Sequence, residues 1–154
     1  MSAFLVTGQT TEDSDIVNDV FYPAISPCVF RELMRLDNSV TNPRVRHALI
    51  DAMGKVNADL DEWRTQQQDL NYLNLSQVPA AIIDSKSLHE HDYQRAVFCL
   101  AKSEITERYQ DYDSTASGIS RAEEMEASID DYRRQARFAI RRILGKPQAT
   151  VELI

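Results

Sequence analysis

Glycine, cysteine and histidine are scarce in this sequence, and their scarcity narrows the chemistry that the chain can carry. Four glycines, two cysteines and three histidines occur among 154 residues. No glycine-rich phosphate loop, Cys-x-x-Cys pair, His-Glu-x-x-His motif or nucleophile elbow is present, so the common motifs for nucleotides, zinc and acyl transfer are missing. We therefore predict that the protein is not an enzyme and that it binds no cofactor and no metal.

The nearest approach to a metal site is a pair of histidines, His89 and His91. They lie two positions apart at the predicted start of a helix, and helical positions i and i+2 do not face each other. We predict a solvated helix start at this point. A hydrolase that uses these histidines or paired carboxylates is the enzymatic alternative.

Long apolar runs and an excess of basic charge are also missing. No run approaches the roughly 20 apolar residues of a membrane helix, and residues 1–8 lack the basic start of a signal peptide. We therefore expect a protein that is made in the cytoplasm and has no membrane contact. The formal net charge is −7, whereas non-specific nucleic-acid binding relies on Lys and Arg side chains that neutralise phosphates. A protein that wraps or reads DNA is not expected.

What the sequence does contain is helical periodicity. The first predicted helix starts near Ser26, with Pro27 at its first position. The second opens at Asn42, a cap followed by proline, and carries an apolar stripe from Val45 to Trp63. Together with two later helices, these patterns predict an all-α fold of four helices.

The third and fourth predicted helices begin at capping boxes. Ser87 with Glu90, and Ser120 with Glu123, each place an acidic residue three positions after a capping serine. The fourth helix has the clearest apolar periodicity of the chain, and it stops at Gly145. A chain of this length is large enough for one well-packed core.

Both termini are predicted to extend from this domain. We expect a mobile N-terminal arm at residues 1–20, a single helical domain at residues 21–145, and a C-terminal tail at residues 146–154 that docks on a partner. Burial of an apolar side chain gives roughly 1.5–3 kcal/mol, and ordering a backbone residue costs about 1–2 kcal/mol. One tail would therefore bind weakly, whereas many tails presented together would bind firmly. The predicted contact residues of the tail are Pro147, Val151, Leu153 and Ile154.

The fourth helix is acidic in its first half and basic in its second half. Identical helices placed side by side in a ring could pair these halves between subunits, since ring contacts join two different faces of one subunit. The predicted contact residues are Glu123, Glu126, Asp130, Arg134, Arg137 and Arg141. A solvated, self-paired surface is the alternative for any single residue.

The helical pattern lapses between the second and third helices, at residues 66–84. A connection of this length is usually functional or lies on a partner. Its candidate contact residues are Tyr72, Leu73 and Leu75. The alternative is a loop that packs on its own domain through its apolar side chains.

A series of short segments shares its order and spacing with one known family. The segments are Phe21–Ile25, Met34–Leu36, Val40–Arg46, Val56–Leu60 with Trp63 and Arg64, Val78–Ala80 with Ile83 and Asp84, Tyr93–Val97, Glu107–Tyr109, and Ile143–Pro147 with Val151–Ile154. In this order they resemble the head-completion proteins of tailed phages, the gpL family of contractile-tailed temperate phages. The chain departs from the family pattern at Ser85, at Gln148 and in the loop at residues 66–75, which lacks a glycine.

This resemblance implies a structural function in the virion. Such proteins join the portal vertex of a filled head after DNA packaging, stabilise the packaged genome and form the platform for the next neck or tail-completion component. The resemblance also implies a connector-like helical fold and a homo-oligomeric ring that matches the twelvefold portal. The protein would lie in the virion neck, near packaged DNA but without sequence-specific binding. The C-terminal tail would then grip the portal, and the loop with Tyr72, Leu73 and Leu75 would face the tail side.

The alternative function is that of a small helical DNA-binding or regulatory protein. Such a protein needs a basic recognition face. The arginines between Arg133 and Arg142 are the only candidate for that face in this sequence.

Overall fold

The computed structural model describes residues 13–110 and 118–148, without the side chains of residues 109, 110 and 118–125. Within these ranges the helices are α1 (Pro27–Leu33), α2 (Asn42–Asp59), α3 (Asp61–Asp69), α4 (Leu88–Gln110) and α5 (Gly118–Ile143). A single 3-10 turn spans Leu75–Gln77, and two antiparallel two-residue strands, β1 (Ile82–Ile83) and β2 (Lys86–Ser87), precede α4. The predicted all-α fold class is confirmed.

Helix α4 is the centre of the bundle, with α2 on one side and α5 on another. Its polar contacts show that both neighbours run antiparallel to it. On α5, Arg133 contacts Glu107 and Arg142 contacts Asp92. On α2, Lys55 contacts Glu104 and the later Asn57 contacts the earlier Tyr93. A helix that is buried on several sides has apolar residues around most of its circumference rather than on one stripe. The buried side chains of α4 are Tyr93, Ala96, Val97, Phe98, Cys99, Ala101, Ser103 and Ile105, together with Asp92 at its first turns.

The second predicted helix is divided in two. Helix α2 ends at Asp59 and α3 begins at Asp61, with the fully buried Leu60 at the junction. This break turns Trp63 onto the core, where its ring lies 6.2 Å from the ring of Phe21. The count of four helices therefore becomes five in the described residues, because aromatic packing at the junction overrides an unbroken helical pattern.

The cap of α2 also differs from the prediction. Thr41 is the N-cap, and it makes no side-chain capping hydrogen bond. Asn42 is the first helical residue, and its side-chain oxygen accepts a hydrogen bond from Arg31 at 2.6 Å. The same guanidinium donates to the carbonyl oxygen of Val40 at 2.6 Å. The asparagine therefore joins α1 to α2 instead of capping α2, while Ser26 caps α1 as predicted.

The part of the N-terminal segment that the structure describes lies on the helices. Ile16 is buried and exchanges two backbone hydrogen bonds with Ile25, at 2.7 and 3.0 Å. This segment therefore packs on the helices, whereas the sequence predicts an arm over residues 1–20. The rest of the predicted arm, residues 1–12, lies outside the described residues.

Three polar side chains close a hydrogen-bonded ring where this segment meets α2 and α4. Asn18 Nδ2 donates to the Tyr93 hydroxyl at 2.7 Å, which donates to Asn57 Oδ1 at 2.6 Å. Asn57 Nδ2 in turn donates to Asn18 Oδ1 at 3.0 Å. The ring of Tyr22 stacks on that of Tyr93, with the centroids 4.9 Å apart. The Tyr22 hydroxyl, in contrast, is buried without a hydrogen-bond partner in the described part of the chain, and burial raises its pKa to about 12.

These two stacked tyrosines predict opposite effects for the same substitution. Replacing Tyr93 with phenylalanine is expected to lower the free energy of unfolding by about 1–3 kcal/mol, because Asn18 and Asn57 lose a buried partner. Tyr22→Phe is the matched control, and we expect it to be neutral or stabilising by up to about 1 kcal/mol. Urea unfolding followed by circular dichroism measures both. Equal losses in the two variants would contradict the hydrogen-bonded ring.

Candidate partner-binding surfaces

The helical bundle presents two ends to possible neighbours. We call the end at which the chain leaves α5 the exit end. The Asp92–Arg142 contact shows that the start of α4 lies at this end as well. The β1–β2 hairpin lies at the same end, since Leu88 N donates to Ala81 O at 2.8 Å. So does the loop at residues 70–78, whose 3-10 turn contacts β2 and α4. We call the opposite end the entry end. It is formed by the start of α2 and the end of α4, and Asn42 contacts Asp13 there.

A buried ion pair fixes α5 at the exit end. Asp92 is only 3% exposed, and its carboxylate accepts hydrogen bonds from Arg142 Nε at 3.0 and 3.1 Å and from Arg142 Nη2. Bidentate arginine–carboxylate pairs are strong and geometrically specific. The hydrogen bonds to Asp92 also raise the pKa of the Arg142 guanidinium, which stays charged. The pair joins residues fifty positions apart.

The turn that follows α5 directs the chain out of the bundle. Gly145 has a positive φ of 67°, its N–H donates to Arg142 O at 3.1 Å, and Lys146 N–H donates to Arg141 O at 2.9 Å. This is the Schellman pattern that ends a helix at a left-handed residue. The Arg141 side chain then donates to the Pro147 carbonyl oxygen from Nε at 3.1 Å and from Nη2 at 2.7 Å. The direction of the chain is therefore set as far as Pro147.

Of the four predicted tail contacts, Pro147 alone lies within the described residues. Pro147 is exposed to solvent at the exit end. The other three predicted contacts, Val151, Leu153 and Ile154, lie outside the described residues.

The predicted ring contacts divide into paired and unpaired charges. Glu126, Asp130 and Arg137 are exposed, and among the described residues they make no hydrogen bond and no ion pair. Arg134 is paired with Asp131 on its own helix. Arg141 holds the Pro147 carbonyl, and the side chain of Glu123 lies outside the description.

The three predicted contact residues of the loop differ in how deeply their side chains are buried. Leu75 is 1% exposed, and its N–H donates to Phe21 O at 2.8 Å, so the structure corrects its assignment from partner contact to core residue. Tyr72 is half-buried against the core. Leu73 is 71% exposed and stays available to a partner. The alternative, a loop packed on its own domain, thus holds for two of the three residues.

Two further exposed apolar residues adjoin this loop. Val17 and Val20 are 86% and 91% exposed, and the segment that carries them is joined to the loop by the hydrogen bond between Leu75 N and Phe21 O. With Leu70 and Leu73, we call them the exit-end apolar patch. Sequence reasoning missed these valines because they lie in a polar, acidic segment without periodicity.

Comparison with known proteins identifies the family. Residues 16–154 match the family model described as phage head completion protein (GPL). The chain belongs to this family. A curated head completion/stabilization protein of Escherichia phage P2 is 36% identical over 151 residues, which cover 97% of this chain and 89% of the relative. No solved structure gives a significant match.

Family membership confirms the predicted resemblance and its coarse consequences. Head completion is a structural function of the phage head, and the family is not one of enzymes. No helix in the described ranges is both long and apolar enough to cross a membrane.

The two candidate histidines of this head completion protein, His89 and His91, each contact another part of the domain. His89 is half-buried with its ring 5.5 Å from that of Trp63, and burial lowers its pKa. His91 Nε2 lies 2.8 Å from Ile83 O in the hairpin. Over residues 13–110 and 118–148, no group of three or more His, Cys, Asp or Glu side chains could hold a metal ion.

The arginines of α5 do not form a free basic face. Four of the five in this stretch are held within the chain, and their partners are Glu107 for Arg133, Asp131 for Arg134, Pro147 O for Arg141 and Asp92 for Arg142. Arg137 is the one without such a partner in the described residues. With a net charge of −7, the surface gives the DNA-binding alternative no support.

Proposed function

We propose that this head completion protein forms a homo-oligomeric ring that docks on the portal through the C-terminal tail once DNA packaging ends. The ring would stabilise the packaged genome and provide the platform for the next neck component. The observation that carries this proposal is the fixed end of α5, where Asp92, Gly145 and Arg141 together set the path of the chain up to Pro147.

A fixed exit makes a short apolar tail a better ligand. Residues that are already held before binding lose no further conformational entropy when the tail docks. The remaining residues carry Val151, Leu153 and Ile154, whose burial on the portal supplies the gain. Each tail alone would bind weakly. Twelve tails displayed by one ring would engage at high effective concentration, and the ring would therefore bind firmly.

The unpaired charges of α5 suit contacts between subunits. A ring is built from heterologous contacts, in which one face of a subunit meets a different face of the next. Asp130 and Arg137 lie seven residues apart on the exposed side of α5, about 10 Å along the helix axis. Neighbouring copies displaced by this amount would bring the acidic half of one α5 against the basic half of the next. Glu126 extends the acidic half by one further turn.

The exit-end apolar patch leads us to propose a different orientation for the loop. Because Leu73 and the tail emerge at the same end of the bundle, one neighbour would meet both. We therefore assign Leu73 and the adjoining valines to the portal side of the ring. The entry end would then face the next neck component, and the net negative charge would repel packaged DNA rather than bind it.

Charge reversal on α5 tests the ring. Arg137→Glu is expected to weaken portal-induced self-association by roughly tenfold, because like charges would then meet across each contact. The double variant Asp130→Arg/Arg137→Glu exchanges the two signs and is expected to restore assembly. Light scattering and sedimentation velocity, with and without purified portal, measure the assembled mass.

The control for this experiment is Glu62→Arg, an exposed charge reversal on α3 away from the predicted contact. We expect it to leave assembly unchanged. If Arg137→Glu assembles as well as the parent chain, the ring contact lies elsewhere. If self-association is lost but portal binding is undiminished, the ring contact stands and firm binding does not depend on many tails acting together.

A further inference from the structure

A groove at the entry end takes no part in the contacts proposed above. It lies between the start of α2 and the end of α4 and has a volume of about 520 Å³. Its floor is apolar and consists of Val40, Ala48 and Ile105, while Arg44 and Arg108 stand exposed at its rim. Glu104 also lines the groove, but its carboxylate is paired with Lys55. A volume of this size lies in the range of pockets that hold a ligand or a short peptide.

The N-terminal segment enters the described structure at the mouth of this groove. Asn42 Nδ2 donates to Asp13 Oδ1 at 2.9 Å, and Arg46 Nη1 donates to Ser14 O at 2.8 Å. Asn42 directly precedes Pro43, which is one of the lining residues. The described part of the chain therefore begins within one helical turn of the groove.

The sequence of residues 1–12 fits the groove. Phe4, Leu5 and Val6 form its apolar run, and the polar residues 7–12 link this run to Asp13. The seven residues from Val6 to Asp13 can span up to roughly 23 Å when extended, whereas one turn of α2 covers about 5 Å. The linker is therefore long enough to return to the groove. Glu12 is acidic, which complements the basic rim.

We propose that Phe4, Leu5 and Val6 of the same chain occupy this groove and cover its apolar floor. A segment joined to the protein by a short linker is present at millimolar effective concentration, so it outcompetes a free partner of similar affinity. The occupant is a segment of this chain itself, and the contact requires neither the portal nor a ring.

Photo-crosslinking of the full chain tests this contact. Phe4 is replaced with p-benzoyl-phenylalanine, and the product is irradiated and mapped by mass spectrometry. We expect crosslinks to peptides that contain residues 40–48 or 104–108. In a mixture of nitrogen-15-labelled and unlabelled chains, both halves of each crosslink should carry the same isotope. Crosslinks to any other surface, or the lack of a defined crosslink, would overturn the proposal. Crosslinks with mixed isotopes would also overturn it and would assign the groove to the N-terminal segment of a second copy.

A matched pair of tryptophan variants tests the groove itself. His47 is exposed and lines the groove, so His47→Trp should fill it and lower the crosslink yield at least about tenfold. Ile50 is 50% exposed on the same helix and is not among the lining residues, so Ile50→Trp should leave the yield unchanged. Circular dichroism confirms that both variants are folded. Equal yields in the two variants would show that the segment binds elsewhere.

Discussion

Arg142→Met is expected to lower the free energy of unfolding by about 2–3 kcal/mol, the largest loss from any single substitution that we predict. The substitution keeps an unbranched apolar stem but removes the guanidinium group, so the Asp92 carboxylate is left buried without its partner. Removing one member of a fully buried ion pair costs about 3–5 kcal/mol. The expected loss is smaller because the Arg142 side chain is 39% exposed and water reaches it. Urea unfolding gives the value directly.

Two further variants separate the charge from the geometry. Arg142→Lys keeps the charge but cannot bind Asp92 with a bidentate fork, so we expect an intermediate loss. The double variant Asp92→Leu/Arg142→Met removes both charges and is expected to recover most of the stability, since no unpaired carboxylate is left buried. If the double variant is as unstable as Arg142→Met, the loss comes from packing and the ion pair contributes little.

Ending the chain at Gln148 is expected to weaken portal binding by at least about 100-fold, because the gain from many tails on one ring disappears with the tails. This truncation keeps Pro147, so the carbonyl that Arg141 holds is still present. The helical domain should unfold at the same urea concentration as the parent chain. Binding is measured by light scattering or surface plasmon resonance with immobilised portal.

Substitutions within the full-length tail test its apolar contacts. In an extended tail, Val151 and Leu153 would lie on one face and Glu152 on the other. Val151→Ser/Leu153→Ser should therefore lose most of the affinity that truncation removes, while Glu152→Gln should lose little. Undiminished portal binding by the truncated chain would show that another surface, with the exit-end apolar patch as the first candidate, carries the contact.

Local signals predicted the helices well and their junctions less well. Ser26 and Pro27 start α1 as expected because capping and the fixed proline φ act within one turn of chain. Asn42 carries the same local signal, yet its side chain is taken by Arg31, eleven residues earlier in the chain. Leu60 continues the apolar stripe, yet the helix breaks there so that Trp63 reaches Phe21. Both differences come from side-chain contacts outside the local turn.

On the candidate surfaces, too, residues with the same sequence signal have different tertiary contacts. Leu73 and Leu75 are equivalent in the sequence, two leucines in a polar loop, but the fold buries one and exposes the other. Arg137 and Arg142 both belong to the basic half of α5, but only Arg142 meets a buried carboxylate. Which charges are free for a partner depends on which ones the fold has already paired.

The sequence by itself determined the helical class, the membership of the phage head completion family and the absence of the common catalytic motifs. Periodicity, capping and motif spacing are all properties of neighbouring residues, and they can be read along the chain. Only the tertiary structure decided that Asp92 fixes Arg142, that the chain leaves α5 beside the exposed Leu73, and that the N-terminal segment enters beside a groove. These relations join residues that are remote in sequence, and they arise only when antiparallel packing around α4 places remote segments side by side at each end of the bundle.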